Sequence, residues 1–333
     1  MLSVSNMINL FNITLGTVYI YLVLNKSINY MARSDSDGVP FIIRIKEEHN
    51  IVSNFLNLII SFAICNLLVM ELDTFIVAEF LVLVTCNYHL YKFLYVFMNK
   101  YFKSFRDISP EHKKYYVIKN FVKSLTLAWL FVVTLMNYED IIYGTYELTF
   151  IKRCAVYYSL NDVIGLFVVD KLPATTVVHH TMTSLCTLCV QFKKSSKLDV
   201  ISLVIIYAIF SSAAFCVNFY LGLRIYAGCE YVKKVLSITS FWIYVLNCVV
   251  NWGVQLYLSF ILFHDCLVRT YDLLANYVMC LYCSEYPSYE NVDYVLLAQL
   301  LMYIAFFVAV AKDDVILMKW LFNDFQSFSK KTN

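Results

Sequence analysis

The chain has 333 residues, 60% of them hydrophobic and only 15% charged, against the roughly 25% charge of a soluble domain. A net charge of +2 gives no basic field for nucleic acid, and seven glycines with four prolines are too few for a loop-rich or disordered chain. Tyrosine and phenylalanine, 27 and 26 of them, suit the two interfaces of a bilayer, and the whole composition is that of an integral membrane protein.

A transmembrane helix needs about 20 mostly apolar residues. Taken in order, the stretches that qualify are 8–24, 51–70, 75–98, 117–136, 154–169, 174–191, 198–223, 237–263 and 292–311. The expected fold class is therefore all-α, a multi-pass transmembrane helical bundle of about nine spans. The first segment has no basic residues ahead of it and no small-residue cleavage site, so it reads as a retained span rather than a signal peptide. Sequons at Asn12 and Asn25 fall in or beside that span and are expected to be unmodified. The polar run 99–114 marks a boundary between an N-terminal part with about three spans, 1–112, and a six-span remainder, 113–322, with a tail at 323–333.

Basic residues orient the spans. With the N-terminus outside, the cytosolic segments hold 17 lysines and arginines and the opposite ones 6, which puts the C-terminus in the cytosol. The cluster Lys193, Lys194 and Lys197 runs locally against that bias. Lys330 and Lys331, at the fourth- and third-last positions, resemble a dilysine retrieval signal, so the expected location is the endoplasmic reticulum.

Four consecutive spans carry polar or small residues at helical spacing, three, four and seven apart. They are Tyr158, Asp162 and Gly165; then Thr176, His180, Thr183 and Thr187, with His179 at the stripe's edge; then Tyr207, Ser211, Ala214, Asn218 and Gly222; then Asn247, Asn251, Gln255 and Ser259. Hydrocarbon cannot satisfy such groups, so the stripes are expected to face one another around a cavity. Asn247, Asn251 and Gln255 read first as interhelical contacts, worth about 0.6 kcal/mol each. Asp162 with His179 and His180 reads as a functional core, because a carboxylate can hold an imidazole in one tautomer and leave its other nitrogen to move a proton. Pro173 suits the first turn of the histidine helix.

The eleven cysteines are mostly scattered through apolar segments, which is no disulfide framework. Cys186 and Cys189 share one helix and cannot close a tetrahedral site alone, so no metal is expected. Cys280 and Cys283, with Cys266 and His264, fall in an expected lumenal loop where a disulfide would be compatible.

The stretch 157-YYSLNDVIGLFVVDKLPATTVVHHTMTSL-185 resembles the core of the TLC-domain family, shared by ceramide synthases, TRAM proteins and TLC lipid-homeostasis proteins. The resemblance rests on Tyr158 and Asp162 in one helix, His179 and His180 opening the next, and Thr183 after them. It extends weakly to Lys119, Ser124 and Ala128, with Leu127 where histidine is usual, and to 211-SSAAFCVNFYLGLR-224. It implies that 113–322 is a TLC-type six-helix bundle with a central cavity. Catalytic residues would be His179, His180 and Asp162; Tyr158, Thr176, Thr183, Tyr207, Ser211, Asn218 and Asn251 would line the cavity or bind lipid. The family's ceramide synthases join an acyl chain from acyl-CoA to a sphingoid amine, but carry acidic residues one helix on and often a homeobox-like insert. Here 207-YAIFSS-212 has no acid and the insert is missing. The closer expectation is a multi-pass protein of lipid homeostasis that binds or modifies acyl lipids. Ceramide synthase and a TRAM-like accessory to membrane protein insertion are the alternatives, and whether the chain is an enzyme stays open. Expected partners are membrane lipids and acyl chains, not nucleic acid, with homo-oligomerisation left open. No cofactor is expected beyond acyl-CoA as a co-substrate.

Overall fold

The computed structural model describes residues 76–169, 172, 174–191, 193, 198–226, 229–283 and 294–330, with Thr14, 17–18, 20–25, 28, 52 and 55–56. Among them every element is a helix. In chain order these are α1 (Ile76–Tyr101), α2 (Lys103–Arg106), α3 (His112–Met136), α4 (Tyr138–Tyr143), α5 (Leu148–Val168), α6 (Ala174–Gln191), α7 (Val200–Phe210), α8 (Phe215–Tyr226), α9 (Glu230–Cys283) and α10 (Tyr294–Lys330), with a 3₁₀ turn at Ser211–Ala214.

Helices dominate because an apolar environment offers backbone groups no partner outside their own segment. The breaks have local causes. Gly144 closes α4 at φ 71°, a left-handed C-cap that a side chain would strain. Asp199 caps α7 by accepting from the Ser202 amide at 2.8 Å, and Lys193 reaches the same carboxylate at 2.7 Å. At the 3₁₀ turn the Tyr207 carbonyl takes hydrogen bonds from Ser211 Oγ at 2.9 Å and from Asn251 Nδ2 at 3.1 Å. A tightened turn inside a long helix frequently sits at a functional site.

Among the described residues, three helices are long and apolar enough to cross a membrane: His112–Met136, Val200–Ile225 and Glu230–His264. They contain the expected spans 117–136, 198–223 (from residue 200) and 237–263. At about 1.5 Å per residue each exceeds the roughly 30 Å hydrocarbon core. Their outward faces are apolar: Leu125, Trp129, Val132 and Met136 on α3, and Trp242, Leu246, Val249 and Phe260 on α9, are all exposed. Polar groups such as Asp162, His180, Asn251 and Gln255 are buried instead. That inside-out distribution is compatible with an integral membrane protein. The expected spans 75–98, 154–169 and 174–191 are helical as α1, α5 and α6, and 292–311 falls in α10; 8–24 and 51–70 lie almost wholly outside the described residues.

Side-chain pairs fix the helix directions. Lys123 meets Asp162 while Thr126 meets Asn161, so α3 and α5 run antiparallel. Asp162 meets Thr183 while the Ala155 carbonyl meets Thr187, and α5 and α6 do the same. On the far side Gln255 bonds Tyr303 and Tyr244 bonds Asp314, which sets α9 antiparallel to α10. α1 closes the outside of α5 and α3: Asn87 and Tyr91 donate to Asn161, and Tyr95 stacks on Tyr115. The proposed division at residue 112 is thus crossed by packing, and the one at 322 falls within α10, whose Asp324 bonds Tyr220.

Candidate functional site

The site is built on Asp162, whose side chain has no exposed surface at all. An isolated carboxylate at that depth would be very costly unless paired. Four side chains from two helices surround it. Lys123 of α3 lies 2.6 Å from Oδ1, and His180 Nε2 lies 3.2 Å from the same oxygen. Thr183 donates to Oδ2 at 3.2 Å, and His179 Nε2 stands 3.8 Å from Oδ2. The helical rhythm of α6 explains the convergence: positions 180 and 183 share a face, and 179 flanks it.

The two histidines occupy different places. His180 is 2% exposed, and its Nδ1 has no hydrogen-bond partner among the described residues. That ring packs on Gly165, where an added Cβ would stand 3.2 Å from His180 Cε1 and 3.0 Å from Lys119 Cε. Gly165 is therefore what lets α5, Lys119 and His180 close up. Both rings line a cavity, and His179, at 34% exposed, is the more open of the two to a bound molecule. His180 is tied to Asp162 and nearly enclosed.

α3 contributes more than its weak motif suggested. Lys119 and Lys123, one turn apart on an apolar helix, both face inward, and Lys119 Nζ stands 3.4 Å from His180 Nε2. The same Nε2 cannot donate to Asp162 and accept from Lys119 at once. A buried N–H without an acceptor costs more than an unused lone pair, which favours the tautomer that donates to Asp162. Lys123 then takes the carboxylate, and Lys119 has no carboxylate within ion-pair distance among the described residues.

The cavity beside this cluster has a volume of about 480 Å³, within the usual range for a small-molecule site. The expected residues Tyr158, Thr176, Tyr207, Ser211, Asn218 and Asn251 all line it, together with His179 and His180. Thr183 does not; its hydroxyl is turned into Asp162 and the carbonyls of His179 and His180. Asn251 does what the interhelical reading expects, donating to Ser211 Oγ at 3.0 Å, and also lines the cavity.

Further lining of the cavity comes from α9 and α10. Asp314 accepts from Tyr244 at 2.7 Å, from Trp252 at 3.1 Å and from Tyr207. Asp313 faces the same space, near enough for its charge to act on His179. At the end of the cavity Arg224 lies over the Trp320 ring, 4.5 Å from its centroid, with Asp324 4.0 Å away. Carboxylates thus reach the cavity from a helix about 100 residues after 207–212. Nothing in the sequence of α10 announced this, since its 313-DD-314 sits where apolar residues give way to an expected cytosolic segment. Two lysines at i and i+4 in an otherwise apolar helix were the available signal for α3.

Cys186 is half-buried and Cys189 exposed on α6, apart from the cluster around Asp162. The side chains of Cys266, Cys280, Cys283 and Lys330, and the whole of Lys331, lie outside the described residues. Compared with known proteins, the chain matches no family model, no curated protein and no solved structure.

Proposed function

We propose that the chain is a TLC-type multi-pass membrane protein of lipid homeostasis, resident in the endoplasmic reticulum with its C-terminus in the cytosol, which binds or modifies acyl lipids in the cavity between α3, α6, α8 and α10. One observation carries this reading: a fully buried Asp162 holds an imidazole cluster at the edge of a 480 Å³ cavity whose lining mixes charged groups with Leu127, Val217, Leu221 and Leu317. A purely structural polar cluster has no need of adjoining space, whereas an amphipathic ligand needs both kinds of wall. Tyr116, Arg224 and Trp320 put one end of the cavity beside the 99–116 and 224–236 segments, the side that charge bias assigns to the cytosol.

The site also supports a second, more specific reading, N-acyl transfer from acyl-CoA to a lipid amine. His179 sits between the Asp162 carboxylate and the cavity, the place a general base must occupy. In that reaction the amine nitrogen forms the new C–N bond to the thioester carbon, the C–S bond breaks, and His179 passes the amine proton to the departing thiolate. His180, Thr183 and Lys123 hold Asp162 in position.

The test is direct. The purified chain should carry lipid detectable by mass spectrometry, and His179→Gln should change what is carried or converted. With acyl-CoA and sphinganine, a His179-dependent amide product establishes the transfer reading. Bound lipid without product leaves a lipid-binding protein, and neither lipid nor product refutes both.

A further inference from the structure

The charges around the cavity are not matched among themselves. Lys123 is matched by Asp162 and Arg224 by Asp324, but Lys119, 5% exposed, has no carboxylate within ion-pair distance among the described residues. For the carboxylates the reverse holds. Asp314 is held by two phenols and an indole, neutral donors that stabilise its charge without cancelling it, and Asp313 has no hydrogen bond or ion pair among the described residues. Arg224 Nε, buried at the end of the same cavity, also lacks a partner. The lining of one cavity therefore carries both spare cationic donors, Lys119 and the Arg224 Nε, and the carboxylates of Asp313 and Asp314.

Lys119 and the Arg224 Nε are buried without a matching anion, which is costly, and a bound molecule that supplies the anion removes that cost while its cation meets the half-buried Asp314 and the exposed Asp313. From this the geometry points to a zwitterionic ligand: a phosphate diester toward Lys119 and Arg224, and an ammonium on a short link toward Asp313 and Asp314. Phosphate suits the cationic groups because its two free oxygens accept charge-assisted hydrogen bonds from an ammonium or a guanidinium. The carboxylates suit an organic cation, since Tyr207 and Tyr244 donate to Asp314 and bring aromatic groups beside it. Leu127, Val217 and Leu317 give the start of an acyl chain an apolar surface. The inference deepens the lipid reading and rests on it, by naming the class of headgroup the cavity takes.

The full chain, purified in a non-ionic detergent, is titrated with four dioctanoyl lipids: phosphatidylethanolamine, phosphatidylglycerol, trimethylammonium-propane and plain diacylglycerol. Water-soluble glycerophosphoethanolamine is the fifth probe. The zwitterionic lipid should bind at least about tenfold more tightly than the anion-only or cation-only lipid. Asp313→Asn, a change at an exposed wall position, should bring the ethanolamine and glycerol lipids to within about twofold of each other. Lys119→Met should weaken both phosphate lipids and spare the cationic one. Equal binding of all four lipids by the unaltered protein, or an Asp313→Asn variant that keeps the full preference, overturns the zwitterion while leaving lipid binding standing. Binding of none of the four overturns the lipid reading itself. Either result with glycerophosphoethanolamine supports the charge pattern: affinity equal to the lipid assigns a soluble ligand, and much weaker affinity assigns the membrane lipid.

Discussion

Asp162→Asn removes one charge from the most enclosed part of the molecule. The asparagine is nearly isosteric, so packing survives and electrostatics alone change. Lys123, whose side chain is only 12% exposed, loses the partner 2.6 Å away. The new amide N–H₂ also points donors at His180 or Thr183, which need an acceptor. Removing one member of a buried ion pair costs about 3–5 kcal/mol, because the remaining charge stays desolvated and unmatched. Lys123→Met should destabilise by less, since Asp162 keeps His180 and Thr183. The double variant should recover part of the loss, because replacing a whole buried pair is often close to neutral. Thermal or denaturant unfolding of the detergent-solubilised chain, run as a double-mutant cycle, reads the coupling directly. A single-variant loss below about 0.5 kcal/mol, the range of an ordinary surface change, or additive losses, would show that Asp162 is not held by Lys123 in a buried network.

Three further outcomes follow from the same geometry. His180→Asn should lower stability by about 1–3 kcal/mol through its lost bond to Asp162, whereas His179→Gln should melt near the parent and change lipid binding or conversion; equal melting losses would erase the distinction between the two rings. Gly165→Ala should cost about 1–3 kcal/mol by overpacking Lys119 and His180, while Gly253→Ala, with nothing within 4 Å of its new Cβ, should be neutral or gain up to about 1 kcal/mol of helix propensity; unfolding midpoints of the two variants separate the cases. Asp314→Asn should loosen α9 from α10 and cost about 1.5–3 kcal/mol, read as faster hydrogen exchange around Tyr244 and Trp252.

Much of this site can be read without coordinates. A carboxylate and two imidazoles in apolar segments have few tolerable positions, and the three- and four-residue rhythm already groups His180 with Thr183 and Tyr158 with Asp162. The helical class follows from long continuous apolar stretches of about 20 residues, which satisfy their backbone groups within one segment as helices, where a membrane barrel would show short alternating strands. Periodicity, however, relates residues only along one helix. It cannot say that Lys119 and Lys123 stand against Asp162 and His180, that Gly165 is the gap admitting them, or that His179 is the more exposed of the pair. Nor can it bring Asp313 and Asp314 from the far end of the chain to the cavity wall, since that depends on α10 packing antiparallel to α9. The sequence by itself determined which groups are too costly to leave in lipid; tertiary packing decided which of them cancel one another and which remain spare, because electrostatic matching depends on distance in space rather than separation along the chain.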